Sequence, residues 1–223
     1  MSRILISREH VMRAFAIVPA AGRSQRMGQA KLLLPWGQAT VIEGVLARWR
    51  ASLVERIVVV ARRDDQPLQD RLRQFQQRAT APVELVLPEI DPPDMKASVR
   101  AALDHLRRVA NPGPDDVWLM APADMPELSS RVVNCLIEAV RQFPGEILVP
   151  RSGGRRGHPV LFPFALAQHV DQLSPDEGLN RLLESLPVRE LEWPADQADE
   201  AVPVDLDTPD DYARAVESGR SRC

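Results

Sequence analysis

The sequence predicts an α/β fold, a Rossmann-like three-layer sandwich around a mostly parallel central sheet. Short apolar runs rich in β-branched residues recur along the chain, and amphipathic segments of helical length separate them. The runs are nearly continuous in apolar residues, which is typical of parallel strands that helices cover on both faces. Because ligands of such sheets bind outside the carboxyl ends of the strands, we expect functional residues just after the first, third and fourth strands.

In the first part of the chain, an apolar run that ends at a glycine-containing turn is the first strand. Thr40 can cap the helix that follows. A run dense in valine is a second, central strand. A helix with one apolar face and a third short strand come next. In order, these elements are predicted over residues 15–20, 41–49, 56–61, 64–78 and 83–87.

A turn-rich stretch over 88–94 precedes a helix with apolar residues at helical spacing. A fourth apolar strand follows, and then a helix that Ser129 or Ser130 can cap. Two more strands flank a Gly/Arg loop. In order, these elements are predicted over residues 95–109, 117–120, 129–143, 147–149 and 159–162, with the loop over 151–157.

The last part of the chain is less regular. Two helical pieces, one strand and a terminal helix are predicted, and Pro209 suits the first position of that helix. They cover residues 164–170, 177–185, 188–193 and 209–218. The length of 223 residues suits one sizeable core, so we expect a single domain over 1–223 with its core at about 14–218.

Composition excludes several classes of protein. With 28 basic and 31 acidic residues the net charge is −3, so no basic excess indicates a nucleic-acid partner. Cys135 and Cys223 have no spacing typical of a metal site or a disulfide framework. The apolar run at 4–6 is too short for a signal peptide, and no stretch approaches the about 18 apolar residues of a membrane span. We therefore expect a cytoplasmic protein without a membrane partner.

The loop after the first strand is small and basic. Gly22 lets a ligand approach the backbone, whose N–H groups can bind phosphate. Arg23, Arg26 and Lys31 place three cations within nine residues, enough to neutralise a triphosphate. The P-loop and the dinucleotide fingerprint do not fit this segment. From composition alone, an ordinary basic surface turn is an equal alternative.

Residues 18–35 (VPAAGRSQRMGQAKLLLP) resemble the signature of the MobA-like NTP transferases. Ala21 before the glycine and the Lys-Leu-Leu ending are more similar to molybdenum-cofactor cytidylyltransferases than to guanylyltransferases, whereas Pro19 occurs in sugar-nucleotide pyrophosphorylases. The resemblance implies a fold of the nucleotide-diphospho-sugar transferase type and catalytic roles for Arg26 and Lys31. It also implies a set of nucleotide-binding residues: Ala20, Ala21, Gly22, Arg23, Ser24, Arg26, Lys31 and Ser98.

Two acidic segments resemble family motifs whose aspartates hold Mg²⁺. Asp124 follows the fourth strand in a segment similar to G-D-M-P, with Ala123 in place of the glycine. Residues 204–212 resemble D-I-D-T-P-E-D, which implies Asp207 as a second metal ligand. Asp205 and Asp207 alternate on a predicted short strand and so point the same way. Helix capping is the competing role for Asp124 and for Asp207.

Two further blocks concern the acceptor. Residues 94–103 resemble a family segment that lines the pocket, and Ser98 and Arg100 match it, although Asp94 replaces a glycine. Residues 157–162 (GHPVLF) match another block. Arg100, Arg155, His158 and Asp205 are therefore candidate acceptor contacts. The alternatives are a solvated helix face for Arg100, a solvated loop for Arg155 and a structural role for His158.

Five blocks occur in family order over nearly the whole chain. The resemblance implies a Mg²⁺-dependent enzyme that transfers a nucleoside monophosphate from an NTP, with CTP favoured over GTP, to a phosphorylated acceptor such as molybdopterin. A molybdoenzyme or its chaperone is a candidate partner. The alternatives are a sugar- or polyol-phosphate nucleotidyltransferase and a nucleotide-binding regulator or chaperone with little turnover. All of them require the first-loop cations to meet Asp124.

Overall fold

An eight-stranded sheet forms the centre of the computed structural model, which describes residues 11–23, 30–78, 82–203 and 205–217. Its strand order is β10-β7-β9-β6-β1-β4-β5, with β8 paired to β7, while β2 and β3 form a separate two-stranded sheet. The strands are β1 (Ala14–Pro19), β2 (Pro35–Trp36), β3 (Ala39–Thr40), β4 (Arg56–Val60), β5 (Val83–Val86), β6 (Val117–Met120), β7 (Ile147–Ser152), β8 (Arg155–Arg156), β9 (Val160–Pro163) and β10 (Val188–Glu192).

Helices cover both faces of this sheet. They are α1 (Val41–Arg50), α2 (Gln66–Gln77), α3 (Met95–Val109), α4 (Ser130–Ala139), α5 (Ala167–Gln172), α6 (Asn180–Ser185), α7 (Ala198–Ala201) and α8 (Pro209–Glu217). Apolar residues of α1, α2, α4 and α8 share one buried cluster, and those of α3, α5 and α6 share the other. The arrangement is the predicted three-layer α/β sandwich with a mostly parallel sheet.

The pairing of the strands brings most of their carboxyl ends to one edge of the sheet. β1 is parallel to its neighbours β4 and β6, and β5 continues the parallel series. β9 runs antiparallel to both β6 and β7, which leaves β7 parallel to β6. The loops after β1, β4, β5, β6 and β7 therefore share one edge.

Alternation along β1 explains why the sheet is buried on both faces. Ala14, Ala16 and Val18 pack into one cluster, and Phe15 and Ile17 pack into the other. All of these side chains are at most 3% exposed. Burial on both faces is the reason that the strand is a continuous apolar run.

Side-chain caps fix where several helices begin. Thr40 and Glu43 form a capping box at α1, with the Thr40 N–H donating to Glu43 Oε2 over 2.9 Å. Ser129, one of the two predicted caps, accepts from the Val132 N–H at the start of α4. Asp94 caps α3 by accepting from the Ala97 N–H over 2.7 Å. Within the described ranges, no helix is long and apolar enough to span a membrane.

Three local features differ from the sequence predictions. The Gly/Arg loop over 151–157 is in part a hairpin, because β7 runs on to Ser152 and pairs with β8 across Gly153 and Gly154, both at positive φ. Residues 205–207 form no strand. The β2–β3 hairpin was not predicted, because two strands of two residues each leave no periodic signal.

Candidate active site

A cleft of about 630 Å³ lies at the shared carboxyl edge of the sheet. Its walls come from the loops after β1, β4, β5 and β6 and from the segment before α8. Ligands of parallel sheets bind at this edge. The lining includes Ala20, Ala21, Gly22, Arg23, Lys31, Arg62, Asp94, Ser98, Asp124 and Asp207.

Lys31 joins the two acidic segments of the cleft. It begins a single turn of 3-10 helix at the end of the basic loop, and its Nζ donates to Asp124 Oδ2 and, over 3.2 Å, to Asp207 Oδ1. The buried strand β6 delivers Asp124 to this point. The predicted meeting of a first-loop cation with Asp124 is therefore observed for Lys31. Arg26 and Ser24 lie outside the described residues, and their roles stay predictions.

The electrostatics of this cluster keep Lys31 charged. Burial disfavours the ammonium ion, but hydrogen bonds and charges from Asp124 and then Asp207 outweigh it, so the pKa of Lys31 is raised. Asp124 is 7% exposed, and its Oδ1 accepts no hydrogen bond from the described residues. A buried carboxylate oxygen without a donor is costly. This oxygen is therefore suited to a cation.

A divalent cation in this cluster would be coordinated jointly by protein carboxylates and by a bound substrate. Among the described residues, no group of three or more His, Cys, Asp or Glu side chains is arranged to hold a metal ion. Mg²⁺ usually takes one or two carboxylates and completes its shell with water and substrate phosphates. Asp124 and Asp207 could supply those carboxylates while a bound triphosphate supplies the phosphate oxygens.

In the described part of the chain, other residues cap the helices that follow these two aspartates. Ser129 caps α4, which removes capping as the role of Asp124. At α8 the Thr208 N–H donates to Asp211 Oδ2 over 2.9 Å, and the Asp211 N–H donates back to Thr208 Oγ1 over 3.2 Å. This reciprocal pair is a capping box. Thr208 therefore occupies the capping position that was considered for Asp207.

Asp205 lies near the same charges. Burial of its carboxylate and repulsion by Asp124 and Asp207 raise its pKa to about 6, although the Lys31 ammonium opposes the shift. Leu206 is buried between the two aspartates, and its N–H donates to the Asp124 carbonyl oxygen over 3.3 Å. Asp205 and Asp207 do not lie on the predicted strand. Because Leu206 between them is buried, polar and buried residues still alternate over 205–207.

One amide of the loop after β1 still takes part in the hydrogen bonding of the sheet. The Ala20 N–H donates to the Val60 carbonyl oxygen over 2.8 Å, so this amide continues the ladder and does not point to a ligand. A Cβ added to Gly22 would meet no atom of the described residues within 4 Å. Arg23 Nη1 lies 3.4 Å from Asp64 Oδ2, and Nη2 lies 3.7 Å from Asp91 Oδ2. Phosphate contacts of this loop, including those predicted for Ala20 and Ala21, stay predictions.

The opposite wall is the start of α3. Ser98 is 2% exposed, lines the cleft, and donates from Oγ to the Asp94 carbonyl oxygen over 3.2 Å. Arg100 is not part of the lining. Its Nη2 donates to the carbonyl oxygens of Val170 and Asp171 over 3.0 and 3.3 Å, which ties α3 to α5. The geometry therefore does not support Arg100 as an acceptor contact.

Arg155 and His158 lie in segments that join the same edge without lining the cleft. Arg155 is exposed on β8, which pairs with β7. The His158 N–H donates to the Ala201 carbonyl oxygen over 3.1 Å. Burial lowers the pKa of His158, against a backbone hydrogen bond at Met120 and the charge of Asp124. A neutral, packed imidazole agrees with the structural alternative, and the acceptor role of either residue stays a prediction.

Arg62 is a cleft residue that the sequence reasoning missed. It lies two residues after the end of β4, and its side chain lines the cleft close to Gly22. The expected positions lay after three of the strands and left out this one. The signal was present nonetheless, because the carboxyl end of the strand next to β1 faces the same cleft.

Comparisons with known proteins agree with this arrangement. The profile of the MobA-like NTP transferase domain matches residues 16–191. A probable molybdenum cofactor guanylyltransferase of Bacillus cereus (strain ATCC 10987 / NRS 248) is 24% identical over 203 residues, which are 89% of this chain and 94% of that protein. The purine catabolism protein PucB of Bacillus subtilis (strain 168) is 27% identical over 86% of this chain and 91% of that protein.

A solved structure is similar over almost the whole chain. The crystal structure of Rv0371c from Mycobacterium tuberculosis H37Rv has a TM-score of 0.74 and 27% identity, and the match covers 92% of this chain and 98% of that one. The same protein in complex with manganese gives a TM-score of 0.69 over 93% of this chain and 100% of that one.

Proposed function

Because the chain belongs to the MobA-like NTP transferase family, we propose that it transfers a nucleoside monophosphate from an NTP to a phosphorylated small molecule in this cleft. One observation carries the proposal: Lys31 joins Asp124 and Asp207 at the carboxyl edge of the sheet, beside the loop that holds Gly22 and Arg23. A cation and two carboxylates beside an amide-rich loop suit a triphosphate with its divalent metal ion.

In the proposed reaction, a phosphate oxygen of the acceptor attacks the α-phosphorus of the NTP. The new oxygen–phosphorus bond forms as the bond to the β-phosphate bridging oxygen breaks, and pyrophosphate leaves with the electron pair. Protein groups position the reactants and stabilise charge, and no side chain has to act as the nucleophile. A transfer of this kind needs cations around the triphosphate more than it needs a general base.

Each residue of the cleft then has a proposed task. Arg23 and the amides of the loop bind the β- and γ-phosphates, as does Arg26, which lies outside the described residues. Lys31 leaves the two carboxylates and neutralises charge that develops at the α-phosphate. Asp124 and Asp207 would hold Mg²⁺, which would supply positive charge to offset that of the triphosphate and of the leaving pyrophosphate. The manganese complex of the M. tuberculosis relative supports a divalent metal for this family.

We propose CTP as the donor and molybdopterin as the acceptor. The Ala-Gly pair at 21–22 and the Lys-Leu-Leu segment at 31–33 favour CTP by resemblance to cytidylyltransferases. The name of the B. cereus relative makes GTP the alternative donor and favours a molybdenum-cofactor acceptor. Sugar or polyol phosphates are the alternative acceptors, which Pro19 favours. A cytoplasmic location and a molybdoenzyme or its chaperone as the receiving partner belong to the same proposal.

A pyrophosphate-release screen tests this proposal. The four NTPs are paired with molybdopterin and with a panel of sugar and polyol phosphates, in Mg²⁺ and in Mn²⁺. We expect turnover with CTP and molybdopterin, and a loss of at least about 100-fold in kcat/KM for Asp124→Asn, equivalent to about 2–3 kcal/mol. The matched control is Asp115→Asn, an exposed aspartate before the same strand β6, which should retain wild-type turnover.

Two outcomes would redirect the proposal. Turnover with a sugar or polyol phosphate alone would move the acceptor to that class and keep the chemistry. Calorimetric binding of Mg·CTP without pyrophosphate release from any acceptor would favour a nucleotide-binding regulator. Wild-type turnover in the Asp124→Asn variant would refute the assignment of the site itself.

A further inference from the structure

The guanidinium group of Arg62 is held against the backbone of the loop after β1. Its side chain is 13% exposed. Nη1 donates to the carbonyl oxygens of Ala21 and Gly22 over 3.1 and 3.0 Å. Nε donates to Asp64 Oδ1 over 2.7 Å, and Nη2 lies 3.5 Å from Asp65 Oδ2. Each of the three guanidinium nitrogens is thus engaged by the protein.

These contacts orient two peptide units. The carbonyl group of Ala21 and the N–H of Gly22 belong to one planar trans peptide, in which they point in opposite directions. The carbonyl group of Gly22 and the N–H of Arg23 form the next one. When Arg62 binds both carbonyl oxygens, the N–H groups of Gly22 and Arg23 turn to the other side of the loop. Two adjacent amides that point the same way are a recurrent anion-binding arrangement.

The same contacts remove an electrostatic obstacle. Carbonyl oxygens that faced a bound triphosphate would repel it, whereas carbonyl oxygens paired with a guanidinium group are neutralised by a hydrogen bond to a charged donor. Because the nitrogens of Arg62 are already engaged, this side chain does not need to release a contact when a ligand arrives. Its geometry therefore suits positioning more than direct phosphate binding.

Asp64 links this arrangement to the exposed cation of the loop. Its Oδ1 accepts from Arg62 Nε, and its Oδ2 lies 3.4 Å from Arg23 Nη1. One carboxylate thus contacts both the residue that fixes the loop carbonyls and a predicted phosphate ligand. The segment after β4 acts on the loop after β1 through this pair.

We propose that Arg62, together with Asp64, is a positioning residue that presets the Gly22 and Arg23 amides for the triphosphate. The inference rests on the proposed function, since it names the triphosphate as the ligand. It adds a requirement which the motif residues do not contain, namely a guanidinium group from the neighbouring strand. The orientation of the loop is the property that this residue controls.

The first test measures the loop without any ligand. Hydrogen exchange of the peptide that covers 18–23 is compared between wild type and Arg62→Met. We expect exchange of the Ala20 amide, which donates to the Val60 carbonyl oxygen, to be about tenfold faster in the variant, because the loop loses the two contacts that hold its carbonyl oxygens in place. Arg13→Met is the matched control. Arg13 also donates to two carbonyl oxygens, those of Ala110 and Asn111, and to the Asp116 carboxylate, but before β1 at the other end of that strand.

The second test measures nucleotide affinity by calorimetry, with Mg²⁺ and whichever of the four NTPs binds the wild-type protein most tightly. Arg62→Met should raise Kd by about tenfold or more. Arg13→Met should lower the melting temperature and leave Kd within about twofold. Asp64→Asn should raise Kd less than Arg62→Met does. The double variant should resemble Arg62→Met alone, because the two residues act as one unit.

The outcomes separate this inference from the proposed function. Unchanged exchange at 18–23 in Arg62→Met would overturn the positioning role, whatever the protein binds. Faster exchange with an unchanged Kd would show that the loop orientation does not serve the triphosphate, which also overturns it. A wild-type protein that binds none of the four NTPs would instead contradict the proposed function, while the exchange result would still report on the loop.

Discussion

Lys31 is the residue on which the chemistry of the cleft depends. Its ammonium group contacts two carboxylates that are also the proposed metal ligands. Lys31→Met should therefore lower kcat/KM by at least about 100-fold, or about 2–3 kcal/mol. The same change should strengthen the binding of Mn²⁺ alone, because the metal ion no longer competes with the ammonium group.

The two readouts for Lys31 have opposite signs, which excludes simple unfolding as the cause. Turnover is measured by pyrophosphate release, and free Mn²⁺ by electron paramagnetic resonance in the absence of nucleotide. A variant in which both turnover and Mn²⁺ affinity fall would contradict the competition, and retained turnover would contradict the role of Lys31 in the reaction.

A substitution at Gly22 should affect nucleotide binding without affecting the stability of the fold. Because a Cβ at this position would meet no atom within 4 Å among the residues that the structure describes, Gly22→Ala should leave the melting temperature unchanged within about 2 °C. A triphosphate that approaches the backbone there would meet the new methyl group, so Kd for the NTP should rise about tenfold. Gly178→Ala, which is also in open space but outside the cleft lining, is the control for both measurements.

At the scale of single residues, sequence reasoning succeeded where side chains carry their own chemistry. Lys31 and Asp124 could be paired in advance because both follow strands whose carboxyl ends meet. The link from Arg62 to the loop after β1 could not be predicted, because it is made to the carbonyl oxygens of Ala21 and Gly22, and no side-chain motif records such contacts. The same holds for the contacts of Arg100 with the carbonyl oxygens of Val170 and Asp171 on α5.

Among the elements, the segment that ends at Asp205 and Asp207 depends on a close backbone contact. A Cβ at Gly157 would lie 1.7 Å from the Ala201 carbonyl oxygen and 2.6 Å from its carbonyl carbon. Backbone atoms cannot move aside as a flexible side chain can, so Gly157→Ala should destabilise the fold by about 2–4 kcal/mol.

The clash between a Cβ at position 157 and the backbone of Ala201 should also affect the acidic segment of the cleft. Ala201 ends α7, and the chain continues from there to the acidic segment of the cleft. Chemical denaturation should show the loss of stability, and the fraction that remains folded should bind Mn²⁺ more weakly than wild type. Equal stability of Gly157→Ala and the Gly178→Ala control would show that the contact between 157 and 201 is not as close as the structure has it.

The elements that the sequence predicts well are those with a local cause. Apolar periodicity and a capping residue define α1 and α3, and continuous apolar runs define β1 and β6. The β7–β8 hairpin was not predicted, and the strand predicted at 205–207 is wrong, for the opposite reason. Pairing to a strand and docking onto Asp124 give them their shape, and both causes lie far away in the sequence.

At the scale of the whole molecule, the alternation of strands and helices predicts the layers but not the order of the strands. An antiparallel β9 inserted between β6 and β7 leaves no mark in the periodicity of its four residues. This strand nevertheless determines which half of the sheet carries the His158 segment and the β7–β8 hairpin. That residues 1–223 form one domain, and that Arg155 and His158 contact the acceptor, stay predictions.

The pH dependence of global stability tests how the charges of the distant segments act together. Burial, with repulsion from Asp124 and Asp207, raises the pKa of Asp205 from 3.8 to about 6 in the folded state. The folded protein then holds a proton that the unfolded chain has lost, so this group contributes stability below about pH 4 and loses it as the pH rises through about 6. Asp205→Asn should therefore stabilise the protein at pH 7 and have little effect at pH 4.

The expected gain for Asp205→Asn at pH 7 is about 1 kcal/mol. Asp205 as a whole is exposed at the surface, so solvent screens its partly desolvated carboxylate and reduces the full value of the shift. Urea denaturation at pH 4, 5.5 and 7 measures it, with Asp176→Asn as a control for the loss of one exposed negative charge. Millimolar Mn²⁺ should reduce the gain, since a cation between Asp124 and Asp207 offsets the repulsion that acts on Asp205. A gain that is equal at all three pH values would contradict the crowding of carboxylates on which the proposed metal site depends.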